Sequence, residues 1–318
     1  MTEEQEIIVA KLAALGEDTD SRDWPEVEEY LYKLNLPLTW AQICLAAYTR
    51  AKGEVLKTWL LLEYVNGWRR QIGKWDMQMA IKILTEIESR IDRLPDEHPR
   101  KDRLIGLWFY HSGWVYHPAG EFIKAAECHD LAAERAKQAG DKPGELLSLY
   151  NAAYEYLNGA LKDNEVCSIL KYYEDFKSAA QNFLDNLKSN SDHDVRWRSN
   201  VHCHQILFAW LAVEKYPKEN DIAFLDELPE SLLPSFVDAA VVIRTLSVFP
   251  ENWGQAETIA SGAVLVSETD WYAFAQLIRF SAFINMGKSE KAAIVLAELK
   301  NFLSERHGGH LALAIMND

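Results

Sequence analysis

Nine histidines and four cysteines are the side chains of this chain best suited to metal or nucleophilic chemistry. His202 and His204 flank Cys203, a trio that would suit zinc if all three donors reached one point. On a helix, residues two apart point about 200° away from each other, so the trio does not chelate one ion while helical. His193 and Asp194 stand at the start of the same segment, where capping and packing suffice to explain them. His111 and His117 are six residues apart and also diverge, and His129 reads as a core or interhelix histidine. Cys44, Cys128, Cys167 and Cys203 form no CxxC pair and match no zinc spacing. Their apolar helical surroundings mark them as reduced core thiols of a cytoplasmic protein. No metal and no cofactor is expected.

Hydrolytic and transfer chemistry finds little support either. The chain has no GxSxG elbow, Walker loop, GxGxxG fingerprint or HExxH helix. His129-Asp130 and His193-Asp194 are lone dipeptides, and Glu3-Glu4 and Glu28-Glu29 read as solvated faces of an acidic N-terminal region. No catalytic residue is assigned. An enzyme with a helical active site but no linear motif stays as an alternative, and its mark would be a perturbed histidine or carboxylate in a closed pocket.

Charge narrows the partners. The formal net charge is −15, with −7 over residues 1–38, +3 over 50–104 and −11 over 105–318. Nucleic acid and anionic membrane are disfavoured, because phosphate binding needs clustered Lys and Arg. A helix-turn-helix over Thr39–Leu62 would have only Arg50, Lys52 and Lys57 for DNA. A protein or peptide partner, basic if charge selects it, fits better. Two alternatives remain open: an accessory subunit docking a larger complex through the acidic surface, and an acidic mimic of nucleic acid. The N-terminus is acidic where a signal peptide would be basic, and no run reaches the roughly 18 apolar residues of a membrane span.

The elements that must position any site are helices. Apolar residues recur at three- and four-residue spacing, and strand alternation is absent. The spacing predicts helices near 3–14, 25–35, 39–51, 54–72, 75–94, 101–116, 119–139 and 143–161. More follow near 164–188, 193–215, 233–248, 252–266, 269–286 and 289–305. Pro118 suits a first helical turn, Gly140 a helix stop, and Thr39 and Asp163 N-caps. The stretch 216–232 breaks the rhythm, as a long loop or a short irregular helix.

Gly120-Glu121-Phe122-Ile123-Lys124-Ala125 and Gly287-Lys288-Ser289-Glu290-Lys291-Ala292 look like two copies of one hairpin turn, 167 residues apart. Glycine frees the backbone at a helix end, and the small alanine lets the next helix pack closely. Helical pairs recur about every 36–46 residues, and placing the small residue of each second helix in register lines up Ala80, Ala125, Ala256 and Ala292, with Ala125 to Ala292 spanning four periods of about 42. With Gly113, Tyr116, Gly120, Ala125 and Ala132 in its best copy, the chain resembles a tetratricopeptide-type repeat protein with lengthened repeats. Gly287 and Ala292 match in the second copy, where Phe280 and Leu299 replace small residues.

The resemblance implies an all-α fold, a right-handed superhelical solenoid of stacked antiparallel helix hairpins. It would span residues 39–318, with a break near 216–232, behind an acidic helical cap over 1–38. It further implies a non-enzymatic scaffold or adaptor whose concave groove is lined by the first helix of each pair. Transferred to this chain, the groove positions bring Tyr110, Trp114, Tyr150 and Tyr154 to one surface, with Arg69, Arg70 and His117 at its edge. Aromatic rings with polar edges are good anchors for a partner, though a shift of register would turn the same rings into packing.

Overall fold

A computed structural model describes residues 1–15, 37–69, 76–187, 191–230, 232–249, 251–262 and 270–305. Every regular element among them is helical. They are α1 (Glu3–Ala13), α2 (Pro37–Arg50), α3 (Glu54–Arg69), α4 (Met77–Asp92), α5 (Lys101–Tyr116), α6 (Phe122–Gln138) and α7 (Lys142–Asp163). There follow α8 (Val166–Leu184), α9 (Asp192–Val213), α10 (Glu219–Ile222), α11 (Leu233–Val248), α12 (Trp253–Gly262), α13 (Asp270–Asn285) and α14 (Ser289–Glu305). The expected helix over 25–35 lies outside the described residues. The expected break at 216–232 is a short helix, α10, followed by a 3-10 turn over Ala223–Leu225.

Helix ends follow local chemistry. Thr2 and Gln5 form a reciprocal capping box at α1, and the Asp76 side chain accepts the Met79 N–H at α4. Gly120 and Gly287 both have φ 70°, the left-handed region that glycine enters without penalty. Both turns also close the same way. Glu121 N–H donates to Tyr116 O (3.3 Å), and Lys288 N–H donates to Phe283 O (2.9 Å), each a six-to-one bond around the glycine. Two expected caps are corrected. Thr39 lies inside α2, which starts at Pro37, and Asp163 is the last residue of α7, with Glu165 preceding α8.

The chain divides into two compact units, Met1–His117 with Glu121–Glu155, and Pro118–Gly120 with Tyr156–Asp318. In the first, α1 belongs to the body of the unit. Its Val9 and Leu12 are buried in one core with Trp40, Ile43 and Cys44 of α2 and Leu60 of α3. A second core joins Leu62 and Val65 of α3, Leu84 and Ile87 of α4, and Leu104 and Val115 of α5. Neighbouring helices pack closely where glycine leaves room, and α5 and α6 do so in antiparallel register. A Cβ on Gly67 of α3 would meet the Ala41 nitrogen of α2 at 2.8 Å. On α5, Gly113 faces Ala125 and His129 of α6, while Gly106 faces Ala132 and Arg135 one helical span further on. The register alanines Ala80, Ala125, Ala256 and Ala292 are all buried, at most 1% exposed.

In the second unit, Phe176 of α8 meets Phe208 of α9 edge-on at 5.0 Å. Cys203 packs with Leu225, Leu232, Phe236 and Ile243. The hairpin of α13 and α14 closes over Phe283, Ala292 and Val295. Lys288 Nζ ties it to α12 by donating to Glu257 (2.8 Å), which Lys291 also approaches (3.6 Å).

Candidate functional site

The first unit concentrates aromatic and imidazole rings at the junction of α5, α6 and α7. Tyr110 and Trp114 stand one turn apart on α5, the spacing that puts two side chains on one face, with ring centroids 6.4 Å apart. His129 of α6 lies 5.4 Å from Tyr110 and 5.2 Å from Trp114, edge-on to both. It can sit there because Gly113 leaves room on α5: a Cβ at 113 would stand 2.7 Å from the imidazole. His129 is fully buried and acts as the packing ring its position implied.

His117, at the carboxyl end of α5, continues the cluster. Its ring is 5.5 Å from Trp114, 5.5 Å from Phe122 and 5.9 Å from Tyr154. Tyr154 of α7 lies 6.5 Å from Trp114. Tyr110, Trp114, His117 and Tyr154 are all half-buried, so each presents part of its ring outward. Rings at these separations in edge-on and tilted arrangements attract through their quadrupoles and hold one another in place.

Tyr150 departs from this group. It is only 2% exposed and ranks among the largest fully buried side chains, so it packs inside the unit and presents no open face. Arg69 closes α3, and its side chain lies outside the described residues, as does all of Arg70.

Behind the rings is a carboxylate that sequence reasoning missed. Glu155 is 0% exposed, and its oxygens lie 2.8 and 3.0 Å from His117 Nδ1. A carboxylate accepts only, so Nδ1–H donates and the tautomer of His117 is fixed. A buried carboxylate is costly without such a partner, so the pair locks the imidazole orientation. The helix carries a further signal: Ser148, Asn151, Glu155 and Asn158 recur on one side of α7 and are all buried. Such a polar stripe in a sequence ordinarily marks a solvent face, which hid Glu155 among the exposed acids. A second imidazole, His111, lies with Nε2 3.9 Å from Glu63 Oε1 in the same unit.

Chemically, the cluster offers flat apolar faces, oriented polar edges and a fixed imidazole, an arrangement suited to holding another chain. Ser112 Oγ, on α5 between Tyr110 and Trp114, donates to Trp108 O (2.7 Å) and is engaged with the backbone. Among the described residues, no three His, Cys, Asp or Glu side chains converge as a metal-binding group. No helix of the described residues is long and apolar enough to cross a membrane. Comparisons with protein-family models, with curated proteins and with solved structures find no match to this chain.

Proposed function

We propose that this protein is a non-enzymatic helical-repeat scaffold that binds a protein or peptide partner across Tyr110, Trp114, His117 and Tyr154. The observation that carries the reading is the convergence of these four half-buried rings from two helices, with His117 braced by a fully buried Glu155. Rigid rings around a fixed polar edge lose little freedom on binding, which is how a few anchors dominate an interface. The equivalent turns at Gly120 and Gly287 and the four buried register alanines support a tetratricopeptide-like arrangement, stacked hairpins in a right-handed solenoid. In that arrangement Arg69 and Arg70 would flank the rings and meet carboxylates or carbonyls of the partner, while Tyr150 supports the surface from within. The net charge of −15 favours a basic partner and speeds its encounter.

The test is a Trp114→Ala/Tyr154→Ala variant that keeps wild-type circular dichroism. Retention of the native partner from host lysate is expected to fall more than about tenfold, since an aromatic anchor is worth about 2 kcal/mol or more. Undiminished retention by the folded variant would sink the assignment.

A further inference from the structure

The second unit contains a cleft of about 300 Å³ between α8, α9 and the segment that follows α9. It is at the lower end of the sizes that hold small ligands, roughly 300–1,000 Å³. Its charge runs against that of the chain. Lys177 and Lys215 line it with His202, and Asp221 is the one acid among its described lining residues, within a 105–318 segment of net charge −11.

The acid that lines the cleft and the acid beside Lys177 are both engaged. The Asp221 carboxylate accepts the Lys218 N–H (2.9 Å) at the start of α10. Glu174 pairs with Lys177 one helical turn away at 2.6 Å, and the Lys177 ammonium also sits 4.9 Å from the Tyr173 ring centroid. Lys215 is exposed and has no ion pair among the described residues. Its ammonium is the group with charge to give.

Lys215 is held at the cleft by an unusual helix end. Glu214 stops α9 with φ 52°, a left-handed conformation that costs a residue with a side chain roughly 1 kcal/mol. The turn closes with Lys215 N–H donating to Ala209 O (3.0 Å) and folds the next residues back over α9. Tyr216 and Pro217 thereby become a wall of the cleft, with Tyr216 packed 6.0 Å from Phe249. Backbone strain of this kind persists where surrounding structure uses the geometry it enforces.

The remaining walls are apolar or carry hydrogen-bonding groups. Ile206 and Ala209 form the α9 side. Tyr173 is mostly buried, and its phenol, like any at neutral pH, keeps an O–H that can donate. His202 Nδ1 donates to Gln205 Oε1 (3.1 Å), which fixes the orientation of both side chains.

We propose that this cleft is a binding site for a small organic carboxylate with a flat apolar body, its carboxylate held by Lys215 and its body against Tyr173, Tyr216 and Ile206. A divalent cation is disfavoured by the two ammonium groups. Inorganic phosphate would leave the apolar walls bare. The site is independent of the ring cluster in the first unit, so either assignment can fail alone.

The experiment is calorimetric titration of the full chain with hippurate, whose benzoyl group and carboxylate match the two halves of the cleft, and with its neutral analogue hippuramide. Hippurate is expected to bind saturably, and hippuramide at least about tenfold more weakly, the worth of one charge-assisted hydrogen bond. Lys215→Gln is expected to weaken hippurate about tenfold for the same reason. Asp221→Asn keeps a side chain able to cap α10 and removes the opposing charge, so it should tighten binding about two- to fivefold. Lys171→Gln, a lysine of α8 outside the cleft, should change nothing. Equal affinity for hippurate and hippuramide, an unaltered affinity in Lys215→Gln, or no saturation at millimolar hippurate overturns the proposal. The acid–amide comparison uses the unaltered protein, so it stands even if a variant folds poorly.

Discussion

Gly113→Ala and Gly106→Ala place the same methyl group on the same helix and are expected to differ in their cost. Each gains about 1 kcal/mol of helix propensity, since glycine is the costlier residue inside a helix. At Gly106 the new Cβ would lie 3.3 Å from Arg135 Cβ, with its next neighbours at 3.7 and 3.8 Å. Arg135 Cβ moves only with the α6 backbone, so the few tenths of an ångström of relief offset part of the propensity gain, and Gly106→Ala should lie within about 1 kcal/mol of the wild type. At Gly113 the Cβ would stand 2.7 Å from two atoms of the His129 ring and 3.0 Å from the Ala125 carbonyl oxygen. Ordinary carbon contacts are about 3.5–4.0 Å, so the ring must retreat by about 1 Å. It has little room to do so, being fully buried with Tyr110 and Trp114 centroids at 5.4 and 5.2 Å. Overpacking costs about 1–3 kcal/mol, and with two ring atoms and a backbone atom in the way the upper part of that range, about 2–3 kcal/mol, applies, which less the propensity gain leaves a net loss of about 1–2 kcal/mol. For a unit of this size that lowers Tm by roughly 3–6 °C, measurable by circular dichroism. In a His129→Ala background the added methyl should become favourable, giving a coupling energy of about 2 kcal/mol in a double-mutant cycle. A Gly113→Ala protein that melts at or above the wild type would refute the close approach of α5 and α6 at this point.

His117→Ala leaves the buried Glu155 carboxylate without its partner and should cost about 3 kcal/mol by urea denaturation; a loss under 1 kcal/mol means water reaches that carboxylate. The hydrogen bond from Lys288, aided by Lys291, holds the Glu257 carboxyl below its usual range, so its stabilisation is present above about pH 4.3 and is lost as pH falls through the lower folded value. Glu257→Gln should therefore lower stability by about 0.5–1 kcal/mol at pH 7, with the difference from wild type vanishing in acid; a gap that persists at pH 2 rules out the ion pair as its cause. Burial pushes the thiols of Cys44 and Cys203 well up and that of Cys128 up to about 11, while Cys167 is exposed. Iodoacetamide at pH 8 should label Cys167 first and Cys44 and Cys203 only after denaturation, read by peptide mass spectrometry, and early labelling of Cys203 contradicts its burial.

The helices were legible because their apolar spacing reports which side chains must leave water, and that pattern survives without knowledge of partners. The turns were legible for a different reason: Gly120 and Gly287 occupy a backbone region that other residues avoid. The start of α2 was harder. Thr39 is a good cap, yet Pro37 suits a first turn equally, and only the packed structure selects between them. The ring cluster shows how far helical phase can be carried. Tyr150 and Tyr154 are one turn apart and nearly in line, so a small rotation of α7 separates the half-buried ring from the buried one. Glu155 was hidden by its own polarity, since nothing in sequence distinguishes a buried, paired acid from a solvated one. The cleft leaves no linear trace at all. Its walls come from Tyr173 through Asp221, gathered by the left-handed turn at Glu214, a residue type that gives no hint of that backbone.

The antiparallel pairing of α5 and α6 through Gly113, Ala125 and His129 has a kinetic consequence. Its partners are separated by a single short turn, so little chain entropy is lost in bringing them together. Contacts so close in sequence form early, and a hairpin of this kind is a natural folding nucleus for the first unit. The same locality should appear in amide hydrogen exchange, with protection rising from the ends of α5 and α6 toward the glycine–imidazole contact. The position that tolerates no extra methyl group would then also be where this unit begins to fold and where it last comes apart.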